Sequence, residues 1–474
     1  MQVPPRYVPD SSRLAHCRTA LKHSVAPTTW RRALEVHPVD ATIAPAIRVG
    51  AATALVLVLG GLLGHGNLAG LGALGALTAA FGRYEPYPQL ARKAGFVGIA
   101  LVVYVAAGAL LSAAGWAVWW QVALMSVAAG AAAWLLTAFR IAGPGPVILI
   151  FAATAAVGYA RNLSDVGLAV AAVACGVVVG WLAVMTPYFF LPLGPARLAV
   201  ARALAAVSEL GRKCDGATLT SARRAVDRAW EVLAHTGRRQ DAHVRELAAL
   251  LADAETVVDR WTSDRDCATL HTLAEYEGEL RKVKRRSVLP GIEGPDRELP
   301  APGRFLPDGM RRLRSRDAAV SAARIAVAAL LAGCFCLTVG LEHPLWASMG
   351  AMAAMQGMTF SQTVQRGIQR LTGNLAGAVL AAALIAAALG YWQTVVVIVV
   401  LQTATELVVI KNYGFASVVI TPMALLLTGL GSAVTPGIAV SRVIDTLVGV
   451  VIGVIVSAVA ISRTDDHHVS RPSA

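Results

Sequence analysis

The stretch His65–Gly98, HGNLAGLGALGALTAAFGRYEPYPQLARKAGFVG, recurs without a gap 278 positions later as His343–Ala376, HPLWASMGAMAAMQGMTFSQTVQRGIQRLTGNLA. At that offset His65 meets His343, Ala69 meets Ala347, Gly72 meets Gly350, Ala73 meets Ala351, Arg92 meets Arg370 and Gly95 meets Gly373. Both copies lie among long apolar runs, so the repeat predicts a membrane module present twice around a charged insert. Matched membrane halves usually enclose a path between them.

A chain of 474 residues that is 56% hydrophobic and 15% charged, with a mean hydropathy of +0.59, has the composition of a polytopic membrane protein. A helix needs about 20 apolar residues to cross the hydrocarbon core, and twelve apolar runs are candidates. Six lie in the first half: 44–63, 68–81, 96–114, 118–139, 146–159 and 166–185. Six lie in the second: 319–340, 346–360, 372–389, 394–409, 415–430 and 438–461. The expected fold is an all-α polytopic membrane protein in which two parallel six-helix transmembrane repeats flank a cytoplasmic helical bundle. Its expected divisions are a basic N-terminal tail (1–43), a first module (44–193), a cytoplasmic helical domain (194–317), a second module (318–461) and a C-terminal tail (462–474). Six spans per module give both copies one orientation, hence parallel repeats about an axis along the membrane normal.

Charge sets the expected orientation. Arg6, Arg13, Arg18, Lys22, Arg31 and Arg32 precede the first apolar run, which begins too late for a cleavable signal peptide. With the N-terminus cytoplasmic, the inward loops carry Arg83, Arg92, Lys93, Arg140, Arg366, Arg370 and Lys411, and the outward loops only Arg161, as the positive-inside rule requires. Both termini are expected in the cytoplasm and the protein in the cell membrane. The net charge of +13 then reflects attraction to anionic lipid and calls for no nucleic acid. Arg311, Arg312, Arg314 and Arg316, just before the seventh span, read as an orientation anchor.

The insert mixes Arg with Asp and Glu, and its apolar residues Leu247, Leu250, Leu251, Val257, Val258, Trp261, Leu270, Leu273, Tyr276, Leu280 and Val283 fall at helical spacing. Asp215-Gly216 and Gly237 punctuate it, and Pro290, Gly291, Gly294, Pro295, Pro300 and Pro302 mark a linker back to the membrane. Cys17, Cys175, Cys214, Cys267, Cys334 and Cys336 suggest no disulfide or metal framework, and no cofactor is expected.

Candidate functional residues follow from position. The second run of each half is short and rich in small residues, the best sequence pointer to a transporter site, which nominates Gly72, Gly75 and Gly350; close helix packing is the competing explanation. His65 and His343 end the first span of each half and could exchange a proton, or could simply sit at the interface. Arg48 and Arg324 recur near the start of those spans and suit anchoring by snorkelling. Glu406, Arg442 and Asp445 are charged groups inside spans of the second half, where ionisable residues mark function by default. Glu406 is the candidate proton carrier, while Arg442 and Asp445, three apart, share one helical face and could form a charge relay or a purely structural pair.

In the second half, NYGFASVVITPMALLL at Asn412–Leu427 and SRVIDTLVGVVIG at Ser441–Gly453 resemble the fusaric acid resistance family of the aromatic acid exporter superfamily. The elements that carry the resemblance are Asn412-Tyr413, Thr421-Pro422 and Arg442-x-x-Asp445-Thr446-x-x-Gly449. It implies a proton-driven inner-membrane exporter of aromatic carboxylic acids or related amphipathic organic anions, and places Asn412, Tyr413, Thr421 and Pro422 on the substrate path. An organic-anion channel, or a membrane scaffold acting through its cytoplasmic domain, are the alternatives. The expected partners are membrane lipid and a small organic acid; a homodimer and an accessory subunit stay open. The first half departs from the pattern, with Gly143-Pro144-Gly145-Pro146 where Asn412-Tyr413 stands. No enzyme is expected: the chain has no Walker A sequence, nucleophile elbow or zincin motif.

Overall fold

The computed structural model describes residues 13–36, 43–213, 215–237, 241–261, 267–282, 299, 301–357, 359–430 and 435–461. Arg6, Cys214, Val283, the linker residues Pro290, Gly291, Gly294, Pro295 and Pro300, and the tail 462–474 lie outside the described residues. The described chain is helical throughout, with no strand. Two short N-terminal helices, α1 (Arg13–Ser24) and α2 (Pro27–Leu34), precede the first apolar series. That series is α3 (Ile43–Leu62), α4 (Gly66–Ala76), α5 (Tyr87–Ala113), α6 (Val118–Ala138), α7 (Val147–Tyr159) and α8 (Leu163–Phe190). Amphipathic helices α9 (Gly194–Ser208), α10 (Gly216–Ala234), α11 (Ala242–Arg260), α12 (Cys267–Arg281) and α13 (Phe305–Leu313) follow. The second series is α14 (Arg316–Val339), α15 (Pro344–Ala354), α16 (Phe360–Ala386), α17 (Tyr391–Val408), α18 (Tyr413–Gly429) and α19 (Gly437–Val459).

Each of the twelve apolar runs corresponds to a helix, but they are not twelve equal spans. Among the described residues eight helices are long and apolar enough to cross a membrane. α4 and α15, with 11 residues each, reach only about 16 Å at 1.5 Å per residue, about half the hydrocarbon core. Their bounds coincide at the 278-residue offset: Gly66 and Ala76 correspond to Pro344 and Ala354. The chain can break at such depth only where protein buries the freed backbone groups. Accordingly Ala69–Ala80 and Ala347–Met355 are buried throughout. α3 reaches α4 through Gly64, in the left-handed region at φ 73°, and α14 ends on Gly340 at φ 78°, a conformation glycine adopts without a Cβ penalty.

Contacts divide the chain into two units. The first holds 1–81, 97–181 and 309–474. Within it α3 packs on α17 and α14 on α6, while α4 meets α18 and α15 meets α7. The first helix of each series thus pairs with the fourth of the other, and the second with the fifth. Small residues permit these approaches: Gly50 faces the Thr403 hydroxyl, and a Cβ on Gly130 would lie 2.7 Å from the Ala322 carbonyl oxygen. Large apolar side chains such as Val103, Val127, Val178, Val379, Val400 and Val459 point outward, as suits lipid contact.

The second unit holds 82–96 and 182–308. α9 packs against α10, α11 and α12 around Leu204, Leu233, Leu247, Leu250, Leu251, Trp230 and Trp261. Most of the insert's helically spaced apolar residues are buried here, with Tyr276 at the margin. Asp215 caps α10 by accepting the Thr218 N–H at 2.6 Å, and hydrogen bonding from the Thr218 side chain, together with that N–H, holds its carboxyl below the usual aspartate value.

Candidate functional site

Polar side chains buried within the first unit gather in the second series of helices. The outermost feature is a cleft of about 310 Å³ lined by Gln356, Gly357, Gln362, Gln365, Arg366, Gln369 and Tyr413. Gln362, Gln365, Arg366 and Gln369 recur every three to four residues on α16, so one helical stripe supplies most of the wall. That helix begins with a capping box between Thr359 and Gln362, which aims its first turns at the cleft. Tyr413 opens α18 beside it. Two helix N-termini and a guanidinium make the cleft favourable to anions, and among the described residues no Asp or Glu lines it.

Arg366 donates from Nη1 to Gln356 Oε1 at 2.8 Å, and its guanidinium lies 5.6 Å from the centre of the Tyr413 ring. Arg370, one turn deeper and 6% exposed, donates from Nη1 to the Tyr413 hydroxyl at 2.9 Å. One turn deeper again, Asn374 donates from Nδ2 to Thr446 Oγ1 at 2.6 Å and accepts the Thr421 hydroxyl at 2.8 Å. Asn374, Thr421 and Thr446 lie near the middle of α16, α18 and α19 respectively, so this trio ties three helices together at mid-depth. Thr446 is followed, toward the other end of α19, by Asp445 and Arg442.

Arg442 and Asp445 share a helical face, yet no ion pair within 4.0 Å joins them among the described residues. The Arg442 guanidinium instead lies 4.7 Å from the Trp346 ring centre, and Trp346 stacks on His343 at 4.2 Å. Asp445 is 1% exposed; its Oδ1 has the Cys336 thiol at 3.8 Å, and its Oδ2 is buried without a hydrogen-bond partner. Arg370 Nε and Arg442 Nε are likewise buried without a partner, and an unpartnered carboxylate oxygen in the protein interior is costly.

Other residues singled out from sequence have different surroundings. Asn412 does not line the cleft: it caps α18 by accepting the Gly414 N–H at 2.6 Å and donates to the Ala33 and Glu35 carbonyls at 3.0 and 2.8 Å. Pro146 takes the matching N-cap position on α7 and has no side-chain acceptor for that role. Pro422 lacks the N–H that would bond Val418, and α16 approaches that carbonyl at Gly377. Glu406 is buried in the last turns of α17, with Gln402 Nε2 at 3.4 Å. His65 is exposed at the α3–α4 turn. Gly72 and Gly75 lie against the Ala172 and Val173 carbonyls of α8, and Gly350 lies against Gly449 and Thr446 of α19. The glycines therefore set helix crossings, while Tyr413, Thr421, Arg442 and Asp445 belong to the polar file.

Arg366, Gln369, Arg370 and Asn374 were not singled out as site residues from sequence. Starting a span at Thr372 leaves the first two arginines in a loop, whereas α16 begins at Phe360. The signal was present: Gln362, Gln365, Arg366, Gln369, Arg370 and Asn374 follow helical spacing.

Residues 329–456 match the model of the fusaric acid resistance protein-like family. The match runs from α14 to α19 and contains the whole polar file. Over 455 residues the chain is 24% identical to the uncharacterized membrane protein YvaC of Bacillus subtilis (strain 168), covering 86% of this chain and 71% of that protein. No solved structure matches. The chain is thus a multi-pass helical membrane protein whose second series forms a fusaric acid resistance protein-like module, consistent with transport or efflux.

Proposed function

We propose that this protein exports small organic anions, aromatic carboxylates foremost, and that the cleft beside Arg366 and Tyr413 receives them from the cytoplasm. The observation that carries this reading is the lining itself: a guanidinium, a phenol ring and four glutamines. A carboxylate accepts from Arg366 and the glutamine amides, and a single aromatic ring suits a cleft of about 310 Å³. The polar trio at Asn374 continues the route inward. The basic pair Arg366 and Arg370 supports a cytoplasmic location for this end of the second series. The reciprocal helix pairings support two parallel modules that rock against each other. Proton drive is assigned to the buried carboxylates Asp445 and Glu406.

Purified protein in proteoliposomes tests this with benzoate-class acids. Concentrative uptake that appears only with an imposed pH difference supports proton-driven export, and flux indifferent to that difference would make the protein a channel. Arg366→Gln should raise KM by about 10- to 150-fold, the equivalent of losing a hydrogen bond to a charged group. An unchanged KM refutes the cleft as the loading site. Asp445→Asn and Glu406→Gln distinguish the proton carrier: the correct one abolishes coupling, and if neither does, proton drive through these groups is wrong.

A further inference from the structure

α1 and α2 form a strap over the ends of two membrane-spanning helices. Ala20 and Ala33 are buried against Phe360, Val364 and Ile368 in the first turns of α16 and against Ala458 and Ile461 at the end of α19. The Cys17 thiol donates to the Ala458 carbonyl at 3.2 Å. Gln369 Nε2 donates to the Ala33 carbonyl at 2.7 Å, beside the two bonds from Asn412 to the same segment. These contacts hold the strap at the level where the spans leave the hydrocarbon.

The opposite face has another character. Leu21, Val25, Trp30, Leu34 and Val36 are exposed, Val25 at 73% and Val36 at 57%. Exposed Arg18, Lys22, Arg31 and Arg32 lie among them, against one exposed acid, Glu35. Water disfavours such an apolar ridge, and a neutral hydrocarbon surface would leave its cations without counter-charge. Apolar side chains interleaved with Lys and Arg, at the end of a membrane bundle, match the boundary between acyl chains and anionic head groups.

We propose that residues 16–36 form a binding surface for anionic lipid, with Trp30 and Leu34 entering the acyl boundary and Arg31 and Arg32 bonding lipid phosphate. The inner face is clamped by Gln369 and Asn412, so the strap is pre-positioned and lipid binding need not order it. Gln369 also lines the cleft, so strap and cleft share a residue. The lipid surface stands independently of what the cleft carries, and its test reads no transport.

Hydrogen exchange of the whole protein in nanodiscs tests the proposal, comparing phosphatidylcholine alone with a mixture rich in phosphatidylglycerol. Amides of residues 27–36 should exchange more slowly in the anionic discs. The double variant Arg31→Gln, Arg32→Gln should lose that difference, about a 30-fold change in protection for two charges at an anionic surface. Raising salt should shrink the wild-type difference. Equal exchange of the wild type in the two lipids overturns the proposal, as does a difference that survives both the double variant and high salt.

Discussion

Replacing Gly449 by Ala adds one methyl group where α15 crosses α19. A Cβ there would meet the Ala347 carbonyl oxygen, the Ala351 nitrogen at 2.7 Å and the Gly350 Cα at 2.9 Å. All three are backbone atoms of a buried helix, so no side chain can turn aside. Relief requires α15 and α19 to separate by about 1 Å, with over-packing costing about 1–3 kcal/mol and the upper half of that range expected here. The separation also pulls Thr446 from Asn374, whose hydrogen bond of 2.6 Å joins α19 to α16. The assay is reversible unfolding of the detergent-solubilised protein by SDS titration, followed by circular dichroism. Gly158→Ala on α7 is the control, because nothing lies within 4 Å of its added Cβ; it should be neutral or gain up to about 1 kcal/mol from helix propensity. If Gly449→Ala unfolds together with wild type or Gly158→Ala, the close crossing does not hold this module together.

Two further outcomes follow from the polar contacts. Asn374→Ala removes both side-chain bonds that link α16 to α18 and α19; at about 0.6–1.7 kcal/mol per interhelical bond in a membrane, unfolding should shift by about 1–3 kcal/mol, with Thr446→Val adding little more in a double-mutant cycle. In the second unit, the Thr218 side chain and N–H depress the Asp215 carboxyl, so the cap contributes fully above the ordinary aspartate pKa and is lost as pH falls through the lower folded value. Asp215→Ser should keep a cap on α10 without that acid dependence, as helix protection by hydrogen exchange between pH 3 and pH 6 would reveal; identical acid sensitivity in both forms would deny the cap its role.

Much of the architecture was legible in the sequence because lipid imposes a simple code. Apolar length and basic loops are local properties, and they located twelve helices. The repeat pointed to two short ones, read as 68–81 and 346–360, and the helices α4 (Gly66–Ala76) and α15 (Pro344–Ala354) start two residues earlier and end five or six residues sooner. Helix starts were harder, since Gln362, Arg366 and Gln369 look like loop residues until α16 is known to carry them as one stripe. Asn412 shows the opposite difficulty: its motif stood out, but the partners that make it a clamp, Ala33 and Glu35, lie 379 and 377 residues away. Arg442 and Asp445 illustrate the same limit. Spacing put them on one helical face, yet Trp346 and Cys336 from other helices are their neighbours.

The sequence by itself determined that this chain is helical and membrane-embedded, because hydrophobic length, periodicity and composition act over a few turns of one helix. Tertiary structure decided which polar groups meet. Asn374, Thr421 and Thr446 become a hydrogen-bonded trio, and Arg366 and Tyr413 become walls of one cleft, only when separate helices pack at distances fixed by their glycines. Hydrogen bonds act over about 3 Å, and no spacing along one chain encodes that proximity.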